Sequence, residues 1–178
     1  IWVKFRVVTA QVVGSLLESG DSDLLGASVV IWTTTPWTIP SNRAVVYGQD
    51  IAYGLYEVVD TPGECWASVG DRFILADKLA GDVMRRARLE DSMWKRVRGV
   101  SENELSLISL QHPLAHAEGA TDKDGWNDLR DFRAADFVTD EEGTGFVHCA
   151  PSHGMEEYEL YRGLGMLEQV ITYNVEDD

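Results

Sequence analysis

Apolar and polar residues alternate from Trp2 to Val8, the pattern of a half-buried strand. Ser28 to Thr34 is β-branched and mostly apolar, which predicts a buried strand ending before Pro36. A proline cannot donate to a ladder and pushes the preceding Thr35 toward extended geometry. Arg43 to Tyr47 and Tyr53 to Val59 flank a Gly-Gln-Asp turn and predict a hairpin. Cys65 to Ser68 and Trp94 to Val100 are weaker strand candidates. From Phe73 to Leu89, Leu75, Leu79, Val83 and Ala87 recur at helical spacing. Phe137 to Thr139 and Phe146 to Cys149 predict short strands around the loop 140–145. Met155 to Leu164 predicts a helix with Leu160 and Leu164 on one stripe. Many strands and few helices, without regular βαβ alternation, predict the α+β class: a barrel-like mixed β domain with a few peripheral helices.

Length and composition narrow this picture. The 178 residues suit one domain, 1–178, with 44% hydrophobic content to build a core. Trp2 starts in mid-strand and Val175 to Asp178 stops without a cap, the look of a domain excised from a larger chain. No apolar run approaches the roughly 18 residues of a membrane helix, and no signal peptide is legible. Cys65 and Cys149 are too few for a disulfide framework, so a reduced, cytoplasmic setting is expected. The formal net charge is -15, which argues against a free nucleic-acid binder. Charge is uneven, however. Residues 71–98 hold eight bases and five acids, a local +3 that leaves -18 for the remainder. The plain reading of Arg85, Arg86 and Arg88 is the solvated end of a helix, where bases complement the dipole.

Two stretches stand out chemically. In Trp32-Thr-Thr-Thr-Pro-Trp-Thr-Ile-Pro-Ser-Asn42, strand alternation puts Thr33 and Thr35 on one face and Trp32 and Thr34 on the other. Two prolines predict an irregular extended loop with free backbone groups, to which Thr38 and Asn42 add donors and acceptors. A Thr-rich edge strand with a proline-stiffened turn would read the same way. The second stretch runs Gly143-Thr-Gly-Phe-Val-His-Cys-Ala-Pro-Ser-His-Gly-Met-Glu-Glu-Tyr158. Gly143 and Gly145 suit positive φ in a tight turn. Glu156 and Glu157 fall in the first turn of a helix, either complementing its dipole or aiming an acid at a cation. A Cys149–His148 nucleophile pair is disfavoured, because adjacent strand residues face opposite ways. His112 and His116 make a weak zinc motif, with Pro113 between them and no His-Glu-x-x-His pattern, so no metal is expected. Gly143-Thr-Gly145 lacks the Gly-Lys-Ser/Thr of a phosphate loop.

Together the two stretches resemble the signature motifs of the editing domain of class I aminoacyl-tRNA synthetases, the connective peptide 1 insertion of the isoleucyl, valyl and leucyl enzymes. The likeness extends to Val3-Lys-Phe5 and Ala135-Asp-Phe-Val-Thr139. His148 followed by Ala-Pro-x-His-Gly is similar to the bacterial isoleucyl branch; the valyl branch tends to carry Lys there and the leucyl branch Met. The resemblance implies that fold and the hydrolysis of valine esterified to isoleucine tRNA, by a positioned water without a covalent nucleophile. It implies that Thr33, Thr34 and Thr35 cradle the terminal adenosine and the ester, and that Glu157 holds the substrate ammonium. It implies that His148 limits side-chain size, with Trp32, Trp37, Thr38, Asn42, His153, Gly154 and Glu156 lining the site. The family usually has Asp-Asp-Tyr where this chain has Glu156-Glu157-Tyr158. The added methylene displaces the carboxylate by roughly 1.5 Å. The implied partners are the 3′ end of the tRNA and the remaining synthetase domains, with no membrane. No cofactor is implied in this domain, ATP and Mg belonging to the parent enzyme. A non-catalytic tRNA-end module and an editing domain of the valyl or leucyl branch are the alternatives.

Overall fold

The computed structural model describes residues 1–10, 22–118 and 125–171. Its strands are β1 (Trp2–Ala10), β2 (Ser28–Trp32), β3 (Ala44–Tyr47), β4 (Tyr53–Val58), β5 (Arg72–Ala76), β6 (Trp94–Val100), β7 (Ile108–Gln111), β8 (Leu129–Ala134) and β9 (Phe146–Cys149). Its helices are α1 (Ala80–Arg86), α2 (Glu102–Leu105), α3 (Met155–Gly163) and α4 (Leu167–Val170), with 3-10 turns at Pro36–Ser41 and Asp91–Met93. No helix among the described residues is long and apolar enough to cross a membrane. The expected uncapped end at Val175 to Asp178 lies outside the described residues.

The strands form one sheet in the order β6-β4-β5-β2-β1-β7-β8-β3-β9. It is mixed: β2 runs parallel to β5 and β3 parallel to β8, while the other pairs are antiparallel. The sheet curls, so that β9 returns to lie against β2. The Ala76 amide then donates to the Thr144 carbonyl at 3.2 Å, and the Tyr53 hydroxyl donates to the Gly145 carbonyl at 2.7 Å. The mixed α+β architecture expected from sequence is the one observed.

Period-2 patterning explains the layering. On β2, Val29 and Ile31 enter the inner core with Phe5, Leu55, Ile74, Phe132 and Phe146. Val30 faces outward, under α1, with Phe73, Leu75, Val83 and Met84. Each such side chain contributes about 1.5–3 kcal/mol by leaving water. A third cluster joins Ala44, Val46 and Cys149 to Tyr161 of α3 and Val170 of α4. His148 and Cys149 therefore face opposite sides of β9, as alternation requires.

Several local expectations fail for identifiable reasons. Arg43 to Tyr47 and Tyr53 to Val59 do not pair as a hairpin: β3 lies between β8 and β9, and β4 between β5 and β6. The turn signal was real, but the chain crosses the inner core there, and the Tyr53 hydroxyl takes the Gly48 amide at 2.9 Å. The proposed Phe73 to Leu89 helix is half strand. Phe73, Ile74 and Leu75 are all buried because β5 is covered on both faces, and such a continuous apolar run mimics helical spacing. Of the spaced residues only Val83 lies within α1, with Leu79 and Ala87 at its caps. Cys65 to Ser68 and Phe137 to Thr139 are not strands. On α3 the buried residue is Tyr161, whereas Leu164 is exposed.

Candidate active site

β2 stops at Trp32, short of the predicted Thr34. Thr33 then turns its hydroxyl back on the chain: Thr33 Oγ1 accepts from the Thr35 amide at 3.1 Å and lies 3.1 Å from Thr35 Oγ1. The expected shared face of Thr33 and Thr35 is thus realised. Instead of an extended loop, residues Pro36–Ser41 form a 3-10 turn. Pro36 sits at its start, where a missing N–H costs nothing and the fixed φ fits. The turn closes through Thr38 N to Thr35 O at 3.0 Å and Asn42 N to Ile39 O at 2.9 Å.

This turn drives Thr38 and Asn42 inward against His148, which projects from the inner face of β9 opposite Val45. Thr38 Oγ1 donates to Thr35 O at 2.8 Å and lies 2.8 Å from His148 Nε2. Asn42 Nδ2 donates to Ala44 O at 2.7 Å and lies 3.2 Å from His148 Nδ1. These partners assign the tautomer. The Thr38 proton is committed to Thr35 O, so His148 Nε2–H donates to Thr38, and Nδ1 accepts from Asn42. Burial lowers the His148 pKa to about 4, so the ring is neutral at pH 7. Asn42 is fully buried, and its Oδ1 has no hydrogen-bond partner.

Two residues outside both signature stretches hold this turn. His112 is buried and its Nε2 donates to Ile39 O at 2.9 Å. Trp126 stacks on it at 5.9 Å with planes 4° apart, and donates Nε1–H to Pro40 O at 3.0 Å. Burial also lowers the His112 pKa to about 4. The sequence showed His112 only as half of a weak metal motif. Among the described residues no group of three or more His, Cys, Asp or Glu side chains could hold a metal ion.

The two glutamates of the second stretch lie on α3. Gly154 is its N-cap, and Glu156 and Glu157 lie in its first turn, as expected. Glu156 and His153 are exposed, while Glu157 is half-buried. The Glu157 carboxylate folds back over Gly154, so that a β-carbon at Gly154 would overlap Glu157 Oε2. This absorbs the extra methylene of the glutamate. Burial raises the Glu157 pKa, opposed by a hydrogen bond from its own backbone N–H and reinforced by Glu156. Cys149, buried against α3, has its thiol pKa pushed well above the ordinary range, chiefly by burial and also by Glu157.

Not every expected residue joins the cluster. Thr33, Thr35, Thr38, Asn42 and His148 are brought together. Thr34 is exposed. Trp32 turns to the outer surface beside Trp2, at 6.4 Å between rings, and Trp37 is 61% exposed. Gly143 and Gly145 both have φ near +80°, as the tight turn requires.

No family model matches the chain. It is 68% identical over its full 178 residues to isoleucine–tRNA ligase of Ruegeria pomeroyi, and 45% identical over 170 residues to that of Bartonella quintana. The chain spans only 17% and 16% of the length of these relatives. Among solved structures it is similar to GlLeuRS-CP1, with TM-score 0.59 and 16% identity over 81% of this chain and 48% of that one. The P. knowlesi cytosolic leucyl-tRNA synthetase editing domain gives TM-score 0.54 and 11% identity over 98% and 67%.

Proposed function

We propose, from the premise that this chain belongs to the isoleucine–tRNA ligases as an editing-domain stretch of them, that it hydrolyses valine wrongly esterified to the 3′ end of isoleucine tRNA. An apolar synthetic pocket gains only about 1–3 kcal/mol from one methylene, a magnitude established on isoleucyl-tRNA synthetase itself, so valine passes the first site. A second site that admits valine and excludes isoleucine by size removes the product.

The observation that carries this reading is the 2.8 Å contact between Thr38 and His148, which fastens the two signature stretches into one site. His148 is suited to the size limit and not to proton transfer. Both ring nitrogens are engaged, and protonation at pH 7 is unfavourable. A wall of this kind is stiff, because moving the ring breaks two buried hydrogen bonds. Thr33 and Thr35 supply the hydroxyls for the attacking water. Only one of the two hydroxyls donates within the pair, which leaves the other's proton for a water or a substrate oxygen. Cys149 is excluded as nucleophile by its position behind the strand and its suppressed ionisation. Glu157 anchors the α-ammonium, since a cation entering a partly desolvated pocket needs a partner charge. Binding of that ammonium would reverse the upward shift of the carboxyl pKa. The reading calls for no cofactor within this chain.

The test is deacylation of Val-tRNA and Ile-tRNA. Glu157→Ala should lower Val-tRNA hydrolysis on the order of a hundredfold, as loss of a charged hydrogen-bond partner does, with Glu156→Ala mild. His148→Ala should make Ile-tRNA a substrate. Absence of Val-tRNA hydrolysis by the unaltered chain in its synthetase would favour a non-catalytic tRNA-end module.

A further inference from the structure

The buried face of β8 carries Phe132, which belongs to the inner core, and two residues before it Arg130, which is 3% exposed. Its neighbour across the ladder is Leu110, also of the inner core. An arginine in this setting is costly, because a guanidinium taken out of water needs a counter-charge or a full set of acceptors. Here neither is complete. Asp128 and Asp131 attract it, but no carboxylate among the described residues comes within ion-pair distance, and the neighbouring Arg43 repels it. Its Nε has no hydrogen-bond partner.

What the guanidinium does hold is a turn. Nη1 donates to Asp128 O at 3.0 Å and Nη2 to Gly125 O at 2.5 Å, so the fork grips both ends of residues 125–128. Gly125 stands at φ +64°, and the turn's own closing bond, Asp128 N to Gly125 O, is long at 3.3 Å. The residue presented by this turn is Trp126, with its indole on His112 and its Nε1–H on Pro40 O. His112 is fixed at both nitrogens: Nδ1 accepts from Leu114 N at 3.1 Å, which leaves Nε2–H for Ile39 O. Contacts therefore run without a break from Arg130 through Trp126 and His112 to the segment that sets Thr38 against His148.

We infer that Arg130 is a positioning residue for the size limit: its fork fixes the turn 125–128, that turn seats Trp126 on the 3-10 turn, and Thr38 and His148 are thereby held at the spacing that shuts out isoleucine. This rests on the proposed function. Stability alone does not call for an arginine here. Asp128 is exposed and Gly125 half-buried, so the two carbonyls can turn to water when the guanidinium is removed. An apolar side chain of similar length would also relieve the buried charge. No apolar side chain grips two carbonyls at once, and lysine offers a point charge in place of a rigid fork.

The experiment uses the full-length synthetase carrying this chain, with Arg130→Met, Arg130→Lys, Trp126→Phe and the Arg130→Met/Trp126→Phe double variant. Deacylation of Val-tRNA and Ile-tRNA is measured beside Tm and peptide-resolved hydrogen exchange. Arg130→Met should keep or raise Tm, yet raise the ratio of Ile-tRNA to Val-tRNA cleavage about tenfold, within the hundredfold or so that a misplacement of about 1 Å can cause. The amides of Thr38 and Asn42, which close the 3-10 turn, should exchange faster, while those of β2 and β9 keep the native rate. Arg130→Lys should fall between the two. The double variant should be no more permissive than the worse single variant, because both act along one path. An unchanged cleavage ratio in Arg130→Met would overturn the inference. So would a lowered Tm with faster exchange throughout, the mark of a residue that serves the fold alone. If the unaltered synthetase cleaves no Val-tRNA, the hydrolytic reading fails, and exchange at residues 36–42 still decides whether Arg130 places the turn.

Discussion

A glutamate at position 157 is accommodated only because position 154 lacks a side chain. Backbone angles at Gly154 (φ -135°, ψ 139°) suit any residue, so its role is space, not flexibility. Gly154→Ala should therefore fold normally and displace the Glu157 carboxylate from its place over the start of α3. A displacement of about 1 Å is enough to cost on the order of a hundredfold in rate, read as Val-tRNA deacylation with unchanged Tm. Removing the hydroxyl from the inward pair should also slow hydrolysis without unfolding, so Thr35→Val is expected to lower kcat at constant Tm. The sequence made Thr33, Thr35, Thr38, Asn42, His148 and Glu157 visible through their motifs. It did not show that Trp32 and Trp37 are exposed, because nothing along the chain indicates where the strand ends.

At the scale of elements, the 3-10 turn is what makes a site from a motif. It rotates Thr38 and Asn42 toward β9, and it is held by His112 and Trp126 through the carbonyls of Ile39 and Pro40. His112→Ala leaves a buried carbonyl unpaired and a cavity behind it, a loss of about 2–3 kcal/mol. The expected outcome is a lower unfolding midpoint in urea together with weakened editing. Trp126→Phe keeps the stacking and loses one hydrogen bond, so its effect should be smaller, near 1 kcal/mol. None of this was legible along the chain, because His112 and Trp126 lie far in sequence from the turn they hold. Hydrophobic patterning found β1, β2, β3, β4, β6 and β9, with alternation itself carrying β1. It missed β8, where Arg130 occupies a buried position and breaks the apolar alternation. It misread β5, where burial on both faces removed the alternation altogether.

For the whole molecule, two buried neutral histidines set the response to acid. An unfolded histidine has a pKa near 6.5, whereas His112 and His148 sit at about 4. The unfolded state therefore binds protons first as pH falls. The stability each site contributes is complete above pH 6.5 and is lost progressively toward pH 4, on the order of 3 kcal/mol each. Urea unfolding at pH 7 and pH 5 should show the loss, and a His148→Ala variant should show a smaller one. Curling of the sheet depends on Gly145, whose φ is +80° and whose added β-carbon would overlap Ala76. Gly145→Ala should destabilise by about 2 kcal/mol or more, with Tm as the readout. The mixed α+β class was legible from strand abundance. The strand order was not, because β3 and β4 are neighbours in sequence and belong to distant parts of the sheet.

Asn42 keeps its carbonyl oxygen idle in a sealed environment. Exchanging its amide nitrogen for oxygen, Asn42→Asp, would give the imidazole an acceptor in place of a donor and remove the donor to Ala44. His148 would then have to carry hydrogen on both nitrogens, and a rigid neutral partition would become an ionising one. On the proposed function, the rejection of isoleucine would then acquire a titration curve.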